Sequence, residues 1–353
     1  MRRFHKEERY FIDVIQSIEN ILRVLDHTNS RTITVFGDYC LDKYLYIDPA
    51  RDEDSVETGM TAYQVVGKKV YPGAAGTVTN NLRSLGVNVI CVGLLGEDGE
   101  GYDLLKCLEQ IGADTSLMVQ SANIPTNTYM KPMRGGIDGT HSEMNRIDIR
   151  SFKETSSVLE DRLIANVRKA LEVSHGVVII EQFLQRNYSV VTDRVRDELA
   201  EWTRRFPEKF FFADSRGFAE CYRNIIIKCN QFELPGEATE DVDDESIIID
   251  RARNLLATNG RAVVVTIGAN GAFVFERDAI ERIPAFQVGG QLDIVGAGDA
   301  TNAGTILGLT LGLTLSEAVL LGGCVSSITI QQIGVTGTAS IEQVKERLQR
   351  TKT

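Results

Sequence analysis

Short apolar runs alternate with longer amphipathic segments along most of the chain, and this alternation restricts the fold more than any other feature. Apolar runs typical of buried strands occupy residues 32–36, 87–92, 176–180, 210–213, 225–227 and 262–267. Patterns typical of helices occupy residues 101–111, 157–173, 187–206 and 246–259. The alternation favours a mostly parallel sheet covered by helices on both faces, so we expect a three-layer α/β/α domain. Ligands of such sheets bind at the carboxyl ends of the strands.

Two regions depart from this alternation. Residues 43–72 and 124–148 carry β-rich patterns without a helical period, and we interpret them as a small β-sheet that forms a lid. Residues 10–25 place apolar side chains at three- and four-residue steps, which predicts an amphipathic helix ahead of the first strand. We therefore expect a helical extension over residues 1–30 and one domain over residues 31–349. The apolar stripe of the extension packs on the same chain or forms a dimer contact, and the sequence leaves both open.

Charge and cysteine content exclude several classes of protein. The formal net charge of −11 argues against nucleic acid as a partner, since phosphate backbones are bound by basic surfaces. The six cysteines form no Cys-x-x-Cys pair, which is typical of reduced thiols. The charged N-terminus is followed by no apolar signal region, and no apolar run approaches the roughly 20 residues of a membrane span. We therefore expect a cytoplasmic protein that binds neither nucleic acid nor a membrane.

The segment Gly296-Ala297-Gly298-Asp299 is the strongest candidate for chemistry, and a small-residue helical pattern follows it over residues 300–311. Glycines one residue apart let successive N–H groups face one concavity, and the dipole of a helix N-terminus favours an anion there. Such a nest stabilises a phosphoryl group in transfer, and an aspartate beside it can take the proton of an attacking hydroxyl. The alternative is a tight turn in which Asp299 only caps the helix.

Polar residues at three other strand ends strengthen the phosphate interpretation. Asn230 and Glu233 follow the run at 225–227 and could hold a hydrated Mg²⁺ through oxygen ligands. Arg216 follows the run at 210–213 and could approach nucleotide phosphates. The loop after residues 262–267 is a further candidate phosphate contact, with Thr266, Gly268 and Gly271.

With these features the chain resembles the ribokinase-like (pfkB) carbohydrate kinases from about residue 31 to about residue 349. Residues 293–299 are similar to the C-terminal signature of that family, and Asn230-x-x-Glu233 is similar to its Asn-x-x-Glu motif. Within the family, the chain shows a particular likeness to the kinase domain of ADP-heptose synthesis proteins. That likeness rests on residues 37–44, 72–75 and 146–148.

The resemblance implies a role for each candidate residue. Asp299 is expected to be the catalytic base, with the backbone of Gly296, Ala297 and Gly298 as the anion hole. The substrate hydroxyls are expected to contact Asp42 and the loop of Gly73, Ala74 and Thr77. The implied cofactors are ATP and Mg²⁺, and use of a monovalent cation is left open. The nucleotide is expected near Arg216, Asn230, Thr266, Gly268, Gly271 and Cys324, and the metal, through water, near Glu233, Asn230 and Asp293.

Several positions differ from the family pattern. Ala74 stands for the second loop glycine, and Thr77 for a substrate-contacting asparagine. Ile294 stands for the signature threonine and Cys324 for an asparagine near the adenine pocket. The aspartate expected after residues 177–180 is replaced by Gln182 or shifted to Glu181. Because the base, the nest and the Asn-x-x-Glu pair remain, we expect phosphoryl transfer to be retained and the acceptor specificity to have moved.

The sequence thus predicts an ATP-dependent kinase that phosphorylates a hydroxyl of a sugar or sugar phosphate, with a heptose phosphate as one option. A nucleoside or vitamin kinase of the same fold is one alternative, and a non-catalytic nucleotide- or sugar-binding relative is another. An unrelated dinucleotide-binding protein ranks last, because no Gly-x-Gly-x-x-Gly follows an N-terminal strand. The resemblance also suggests a homodimer formed through the lid.

Overall fold

The computed structural model describes residues 14–135, 140–236, 243–334 and 336–352. Its strands are β1 (Thr32–Gly37), β2 (Tyr39–Ile47), β3 (Glu53–Asp54), β4 (Thr61–Ala62), β5 (Val65–Ala74), β6 (Asn88–Val92), β7 (Leu94–Gly96), β8 (Val119–Ser121), β9 (Thr128–Gly135), β10 (His141–Glu143), β11 (Ile147–Ile149), β12 (Gly176–Glu181), β13 (Phe210–Ser215), β14 (Ile226–Asn230), β15 (Val263–Thr266), β16 (Ala272–Glu276) and β17 (Ala279–Ile283). Its α-helices are α1 (14–24), α2 (Ala75–Ser84), α3 (Gly99–Gln110), α4 (Ser157–Leu171), α5 (Asp193–Arg205), α6 (Glu245–Asn259), α7 (Ala297–Thr310), α8 (Leu315–Thr329) and α9 (Ile341–Lys352).

Eight strands form the central sheet in the order β17-β16-β15-β14-β13-β12-β1-β6. The strands from β15 to β6 in this order pair in parallel, and β16 and β17 extend the sheet antiparallel. One apolar core lies between the sheet and α1, α2, α3, α7, α8 and α9, and a second lies between the sheet and α4, α5 and α6. The expected three-layer fold with a mostly parallel sheet is confirmed.

The central strands carry mainly apolar residues on both faces because both faces are covered by helices. In β12, Val177 and Ile179 belong to the second core, whereas Val178 and Ile180 belong to the first. Successive side chains of a strand point to opposite faces, so a strand between two helical layers has no solvent-facing positions. The continuous apolar runs of the sequence therefore predict these strands, although apolar and polar residues do not alternate in them.

A separate small sheet has the strand order β10-β9-β2-β5, with β11 paired to β9. It differs in its bounds from the expected segments. Strand β2 begins at Tyr39, directly after Asp38 at the end of β1, and β5 continues to Ala74, where α2 begins. Residues between β2 and β5 include the two-residue strands β3 and β4, and residues 136–139 of the second expected segment lie outside the described residues. The small sheet therefore follows the central sheet directly in the chain, at the carboxyl end of β1.

The amphipathic helix expected at residues 10–25 is present over residues 14–24, and its first residues lie outside the described part of the chain. Ile18 and Ile21 are fully buried in the first core, and the side-chain amide of Asn20 donates to Oε1 of Glu317 on α8 at 2.6 Å. The apolar stripe therefore packs on its own chain. The dimer-contact alternative is not needed to explain it.

Candidate active site

A cleft of about 470 Å³ lies at the carboxyl ends of the central strands, between the small sheet and the start of α7. The small sheet contributes Asp42, Ala74, Tyr129 and Lys131. The central strands and the loops after them contribute Ile180, Glu181, Gln182, Asp214, Arg216, Lys228, Asn230 and Glu233. The segment at the start of α7 contributes Ile294, Val295, Gly296, Gly298 and Asp299, and Thr77 and Thr336 complete the lining.

The first turn of α7 presents bare backbone to this cleft. Gly296 precedes the helix with φ +80°, a left-handed conformation that favours glycine, and a Cβ there would lie 2.7 Å from Cγ2 of Thr336. A Cβ on Gly298 would lie 3.1 Å from the amino group of Lys228. The N–H groups of a first helical turn have no acceptor inside the helix, so they are available to an anion. Gly296 is therefore favoured by its backbone conformation and by close approach, whereas a side chain at Gly298 would crowd the amino group of the adjacent Lys228.

Asp299 lies in the first turn of α7 and lines the cleft. Burial raises the pKa of its carboxyl group to about 7, and the negative charge of Asp214 acts in the same direction. The cations Lys228 and Arg216 oppose this rise in the pKa. A general base is most effective when its pKa lies near the working pH, so this environment suits proton abstraction.

A buried lysine lies under the same turn. The Nζ atom of Lys228 is 2.7 Å from Oδ2 of Asp214, and the side-chain amide of Asn302 donates to that same oxygen at 2.6 Å. Burial alone would lower the pKa of Lys228, but attraction to Asp214, with smaller contributions from Glu233 and Asp299, raises it. Lys228 is therefore a fixed positive charge between three carboxylates.

Arg216 extends into the cleft from the end of β13. With the Gln182 amide oriented so that its oxygen faces the guanidinium group, that oxygen accepts from both terminal nitrogens of Arg216, at 3.1 and 3.2 Å. The backbone N–H of Arg216 donates to the carbonyl of Glu181 at 3.1 Å. The end of β12 thus fixes both the main chain and the side chain of this arginine.

The carboxylate of Glu181 lies below the cleft in a buried polar cluster. It accepts hydrogen bonds from the guanidinium group of Arg196, from Oγ of Ser215 at 2.7 Å and from the hydroxyl of Tyr222 at 2.9 Å. Burial raises the pKa of Glu181 to about 7, against the attraction of Arg196. The cluster ties the β13 end to α5 and so supports the loop that carries Asp214 and Arg216.

Asn230 and Glu233 form a reciprocal turn after β14. Oδ1 of Asn230 accepts from the N–H groups of Phe232 and Glu233 at 2.9 and 3.1 Å, and Oε2 of Glu233 accepts from the N–H of Asn230 at 2.9 Å. Burial raises the pKa of Glu233, and repulsion by Asp214 adds to this rise. The side-chain oxygen of Asn230 is committed to the turn, whereas Glu233 lines the cleft beside Asp214, Lys228 and Arg216.

The small-sheet end of the cleft carries Asp42 and Lys131. Their Oδ1 and Nζ atoms are 3.1 Å apart, and Nζ also donates to the hydroxyl of Tyr44 at 3.1 Å. The two side chains are on neighbouring parallel strands, β2 and β9, and each is about 15% exposed. The candidate substrate ligand Asp42 is thus present in the cleft, but it is paired with a cation.

The loop of Gly73, Ala74 and Thr77 lies beside Asp42. A Cβ on Gly73 would lie 2.5 Å from Oδ2 of Asp42, so a side chain at this position would displace the Asp42 carboxylate. Ala74 has φ +51° and ψ −117°, backbone angles that favour glycine and strain an alanine. Thr77 is buried at the start of α2, where its hydroxyl donates to the carbonyl of Pro72 at 3.3 Å.

Seven of the predicted site residues do not line the cleft. Thr266 is paired in register with Asn230, so its loop with Gly268 and Gly271 borders the cleft without lining it. Both carboxylate oxygens of Asp293 accept backbone N–H groups, from Val295 at 3.1 Å and Gly334 at 3.0 Å. Cys324 does not line the cleft either, because its side chain is fully buried in the first core. Ala297 and Gly73 also fall outside the lining, although each is adjacent to a residue in it.

Ten residues of the cleft lining were not predicted as site residues, among them Asp214, Lys228, Tyr129 and Lys131. The sequence did contain a signal for Lys228, because a lysine inside the apolar strand 225–229 must have a buried partner or a function. Tyr129 and Lys131 gave no such signal, since their position depends on how the small sheet folds over the central one. Asn302, whose amide contacts Asp214, gives no separate signal, because it lies within the small-residue helical pattern.

The fold and the cleft together define a phosphotransferase of the α/β class, with an anion-binding helix N-terminus, a carboxylate of near-neutral pKa and fixed cations at the strand ends. The sequence model of the pfkB family carbohydrate kinases matches residues 33–342, and the chain belongs to that family.

Curated relatives are about 25% identical to the chain over the aligned residues. The bifunctional protein HldE of Hyphomonas neptunium is 26% identical over 328 residues, which cover 92% of this chain and 65% of that protein. The bifunctional protein HldE of Wolinella succinogenes is 25% identical over 331 residues, with coverages of 92% and 66%. The chain thus spans slightly less than two thirds of these relatives.

Solved structures show the same fold. Phosphofructokinase-2 from Escherichia coli superposes with a TM-score of 0.68 at 18% identity, and covers 92% of this chain and 99% of that one. Ribokinase from Arabidopsis thaliana, solved with ribose and ATP, gives a TM-score of 0.63 at 16% identity, with coverages of 90% and 98%. Within the described residues, no helix is both long and apolar enough to cross a membrane.

Proposed function

We propose that this kinase transfers the γ-phosphoryl group of ATP to a hydroxyl group of a sugar phosphate, a heptose phosphate or a close analogue, with Asp299 as the general base. The observation that carries the proposal is the place of Asp299: a carboxyl group of near-neutral pKa in the first turn of α7, close to Lys228. Phosphoryl transfer needs mainly positioning and charge stabilisation from the protein, and this corner of the cleft offers both.

In the proposed reaction, Asp299 takes the proton of the acceptor hydroxyl as the hydroxyl oxygen attacks the γ-phosphorus, and ADP leaves in line. The N–H groups of residues 296–298 and the ammonium group of Lys228 stabilise the charge on the transferred group. Arg216, fixed by Gln182, contacts the polyphosphate. Asp214 keeps Lys228 charged and oriented, because the two side chains form a hydrogen-bonded ion pair.

Mg²⁺ fits the donors at the end of β14. Glu233 and Asp214 would supply oxygen atoms. Burial, and after it repulsion by Asp214, raises the pKa of Glu233, and a bound cation would relieve that repulsion. Mg²⁺ retains several water ligands in such sites, so Glu233 acts mainly through water, and the ion neutralises phosphate charge when bound. Asn230 contributes by fixing the turn, and Asp293 by tying two loops together.

The acceptor lies at the small-sheet end of the cleft, where Asp42 binds hydroxyl groups and Lys131 supplies a positive charge. Two features favour a phosphorylated sugar over a neutral one. Lys131 is held inside the cleft by Asp42 and Tyr44, where a neutral acceptor would leave its charge unused. The curated relatives are named HldE, and the resemblance to ADP-heptose synthesis proteins supports a heptose phosphate.

The proposal includes a homodimer that forms through the small sheet. It also places the protein in the cytoplasm. The segment between β2 and β5 exposes Val56 and Met60, which are 97% and 72% accessible, and the start of β5 exposes Val66, which is 59% accessible. Such a cluster is typical of a protein contact. Sedimentation at several concentrations tests the dimer, and Val56→Ser with Met60→Ser should shift it to monomer.

A screen for ADP release tests the function. Wild type and Asp299→Asn are mixed with ATP and Mg²⁺ and with sugars, sugar phosphates, nucleosides and pyridoxal in turn. We expect release with a sugar phosphate in the wild type alone. Release with a nucleoside or pyridoxal would identify a different kinase of the same fold, and ATP binding without release for any acceptor would identify a non-catalytic relative.

A further inference from the structure

A second cavity, of about 810 Å³, lies at the opposite edge of the central sheet from the active-site cleft. It is bounded by the amino ends of β13, β14 and β15, the second half of α6, the β16–β17 turn and the connection from α7 to α8. Its lining is Phe210, Ile226, Arg253, Leu256, Ala257, Gly260, Arg261, Ala262, Glu276, Arg277, Leu309, Leu313 and Leu315. We call it the arginine cavity.

Three arginines line the arginine cavity, Arg253, Arg261 and Arg277. Across residues 14–135, 140–236, 243–334 and 336–352, no side-chain hydrogen bond or ion pair involves any of the three, whereas many other arginines are paired. Glu276 is the single carboxylate among the lining residues. A local excess of positive charge on a chain of net charge −11 indicates a place for an anion.

The floor of the arginine cavity is apolar. Leu309, Leu313 and Leu315 are each less than 10% exposed, and Ile226 is similarly buried. Apart from the charged rim, the lining side chains offer no polar group that would orient a sugar. A volume of this size is in the range of small-molecule sites, which are lined mainly by apolar side chains with a few polar anchors.

We propose that the arginine cavity is a binding site for a small amphipathic anion, a molecule with an aromatic or branched aliphatic body and a phosphate, sulfonate or carboxylate head. The body covers the leucine floor, and the head is held by the planar donors of the arginines, which match such oxyanions in a bidentate manner. The site is separate from the cleft, because the strands that line it with their amino ends reach the cleft only at their carboxyl ends.

The test uses 1-anilinonaphthalene-8-sulfonate, which has an aromatic body and one sulfonate. Its fluorescence is titrated with the full chain without nucleotide, because ATP, which has an aromatic base and phosphates, would compete for the proposed site. We expect the dissociation constant to rise at least tenfold in the variant Arg253→Gln/Arg261→Gln/Arg277→Gln. Ala257→Trp, on the exposed side of α6, should weaken binding similarly by filling the cavity.

The matched control is Arg168→Gln/Lys169→Gln/Arg205→Gln, which removes the same charge from exposed positions on α4 and α5. Equal weakening in this control would overturn the proposal, because the probe would then respond to net charge alone. An unchanged dissociation constant in the triple-arginine variant would also overturn it. In competition at constant ionic strength, octyl phosphate should displace the probe and inorganic phosphate should not; equal displacement by both would rule out the apolar part of the site.

Discussion

The amino group of Lys228 lies 2.7 Å from a carboxylate oxygen of Asp214, and this ion pair is placed directly under the first turn of α7. Lys228 is almost fully buried, and the side chain of Asp214 is 16% exposed. The pair therefore holds a positive charge beside the backbone N–H groups that begin the helix. Strand β14 begins with apolar residues and carries this lysine where the strand reaches the cleft.

Lys228→Met should lower turnover by about 10²–10³, because it removes a positive charge aimed at the transferred group. The same change leaves Asp214 without its cation and should reduce the free energy of unfolding by a few kcal/mol. Steady-state ADP release and urea denaturation measure the two effects.

The double variant Asp214→Asn/Lys228→Met separates these effects. It removes both charges, so much of the lost stability should return while turnover stays low. Recovery of turnover together with stability would contradict a role of Lys228 in the reaction and would leave it a structural residue.

Asp299→Asn should lower turnover by about 10²–10⁴ while ATP binding changes little, because an amide cannot accept the hydroxyl proton. The variant should also be more stable than wild type at pH 8, by on the order of 2 kcal/mol, because burial penalises the ionised carboxyl group. Calorimetric ATP titration and thermal unfolding provide the measurements. A variant that is both active and no more stable would contradict both statements.

The pH dependence follows from the same carboxyl group. Asp299 is neutral below its pKa of about 7 and cannot act as a base, so kcat/KM should rise tenfold per pH unit below 7 and level off above it. The folded-state pKa values of Asp299 and Glu181, each about 7, are above those of ordinary carboxyl groups. The native state therefore binds more protons than the unfolded state between about pH 4 and 7, and each group makes stability fall as the pH rises through that window.

Urea denaturation at pH 5, 6, 7 and 8 tests this dependence, with Glu181→Gln as the comparison. The variant should show a shallower fall in stability than wild type, because one of the two titrating groups is gone. A pH profile of kcat/KM that is flat from pH 5 to 8 would show that Asp299 is not the general base.

The sheet and the α7 nest could be predicted because their signals are local. Continuous apolar runs mark strands buried on both faces, and Gly296, Gly298 and Asp299 are adjacent in the chain, so their spacing alone places bare N–H groups beside a carboxylate. The Asn230–Glu233 turn is local in the same way, since its hydrogen bonds join residues three apart.

The rest of the site depends on contacts between distant segments. Lys131 meets Asp42 only because β9 pairs in parallel with β2, a register that no local pattern specifies. Asp293 looked like a metal ligand by its place in the motif, but its carboxylate holds the N–H groups of Val295 and Gly334. Counting along the chain placed Cys324 near the nucleotide, whereas the helix pair α7 and α8 buries its thiol in the core.

Ala74→Gly should stabilise the protein by about 1 kcal/mol. Ala74 adopts φ +51° and ψ −117°, where a side chain is strained and glycine is not. The matched control is Ala75→Gly, one residue later in the first turn of α2, which should destabilise by roughly 0.5–1 kcal/mol. Urea denaturation measures both, and a loss of stability in both variants would show that the strain at Ala74 is compensated by its packing.

Lys131→Met should distinguish phosphorylated from neutral acceptors. A charge-assisted hydrogen bond to a phosphate contributes about 1.5–3 kcal/mol, so the KM of a sugar phosphate should rise about tenfold to a hundredfold, while that of the matching neutral sugar stays nearly constant. The control is Lys43→Met, on the same sheet, whose ammonium group pairs with Glu100 at 2.9 Å and does not line the cleft. An equal rise in KM for both acceptors would instead mean that Lys131 serves to orient Asp42, since both acceptors need that carboxylate. A fall in KM for the neutral sugar would mean that Lys131 competes with acceptor hydroxyls for Asp42, because the ion pair at 3.1 Å must open before Asp42 can bind them.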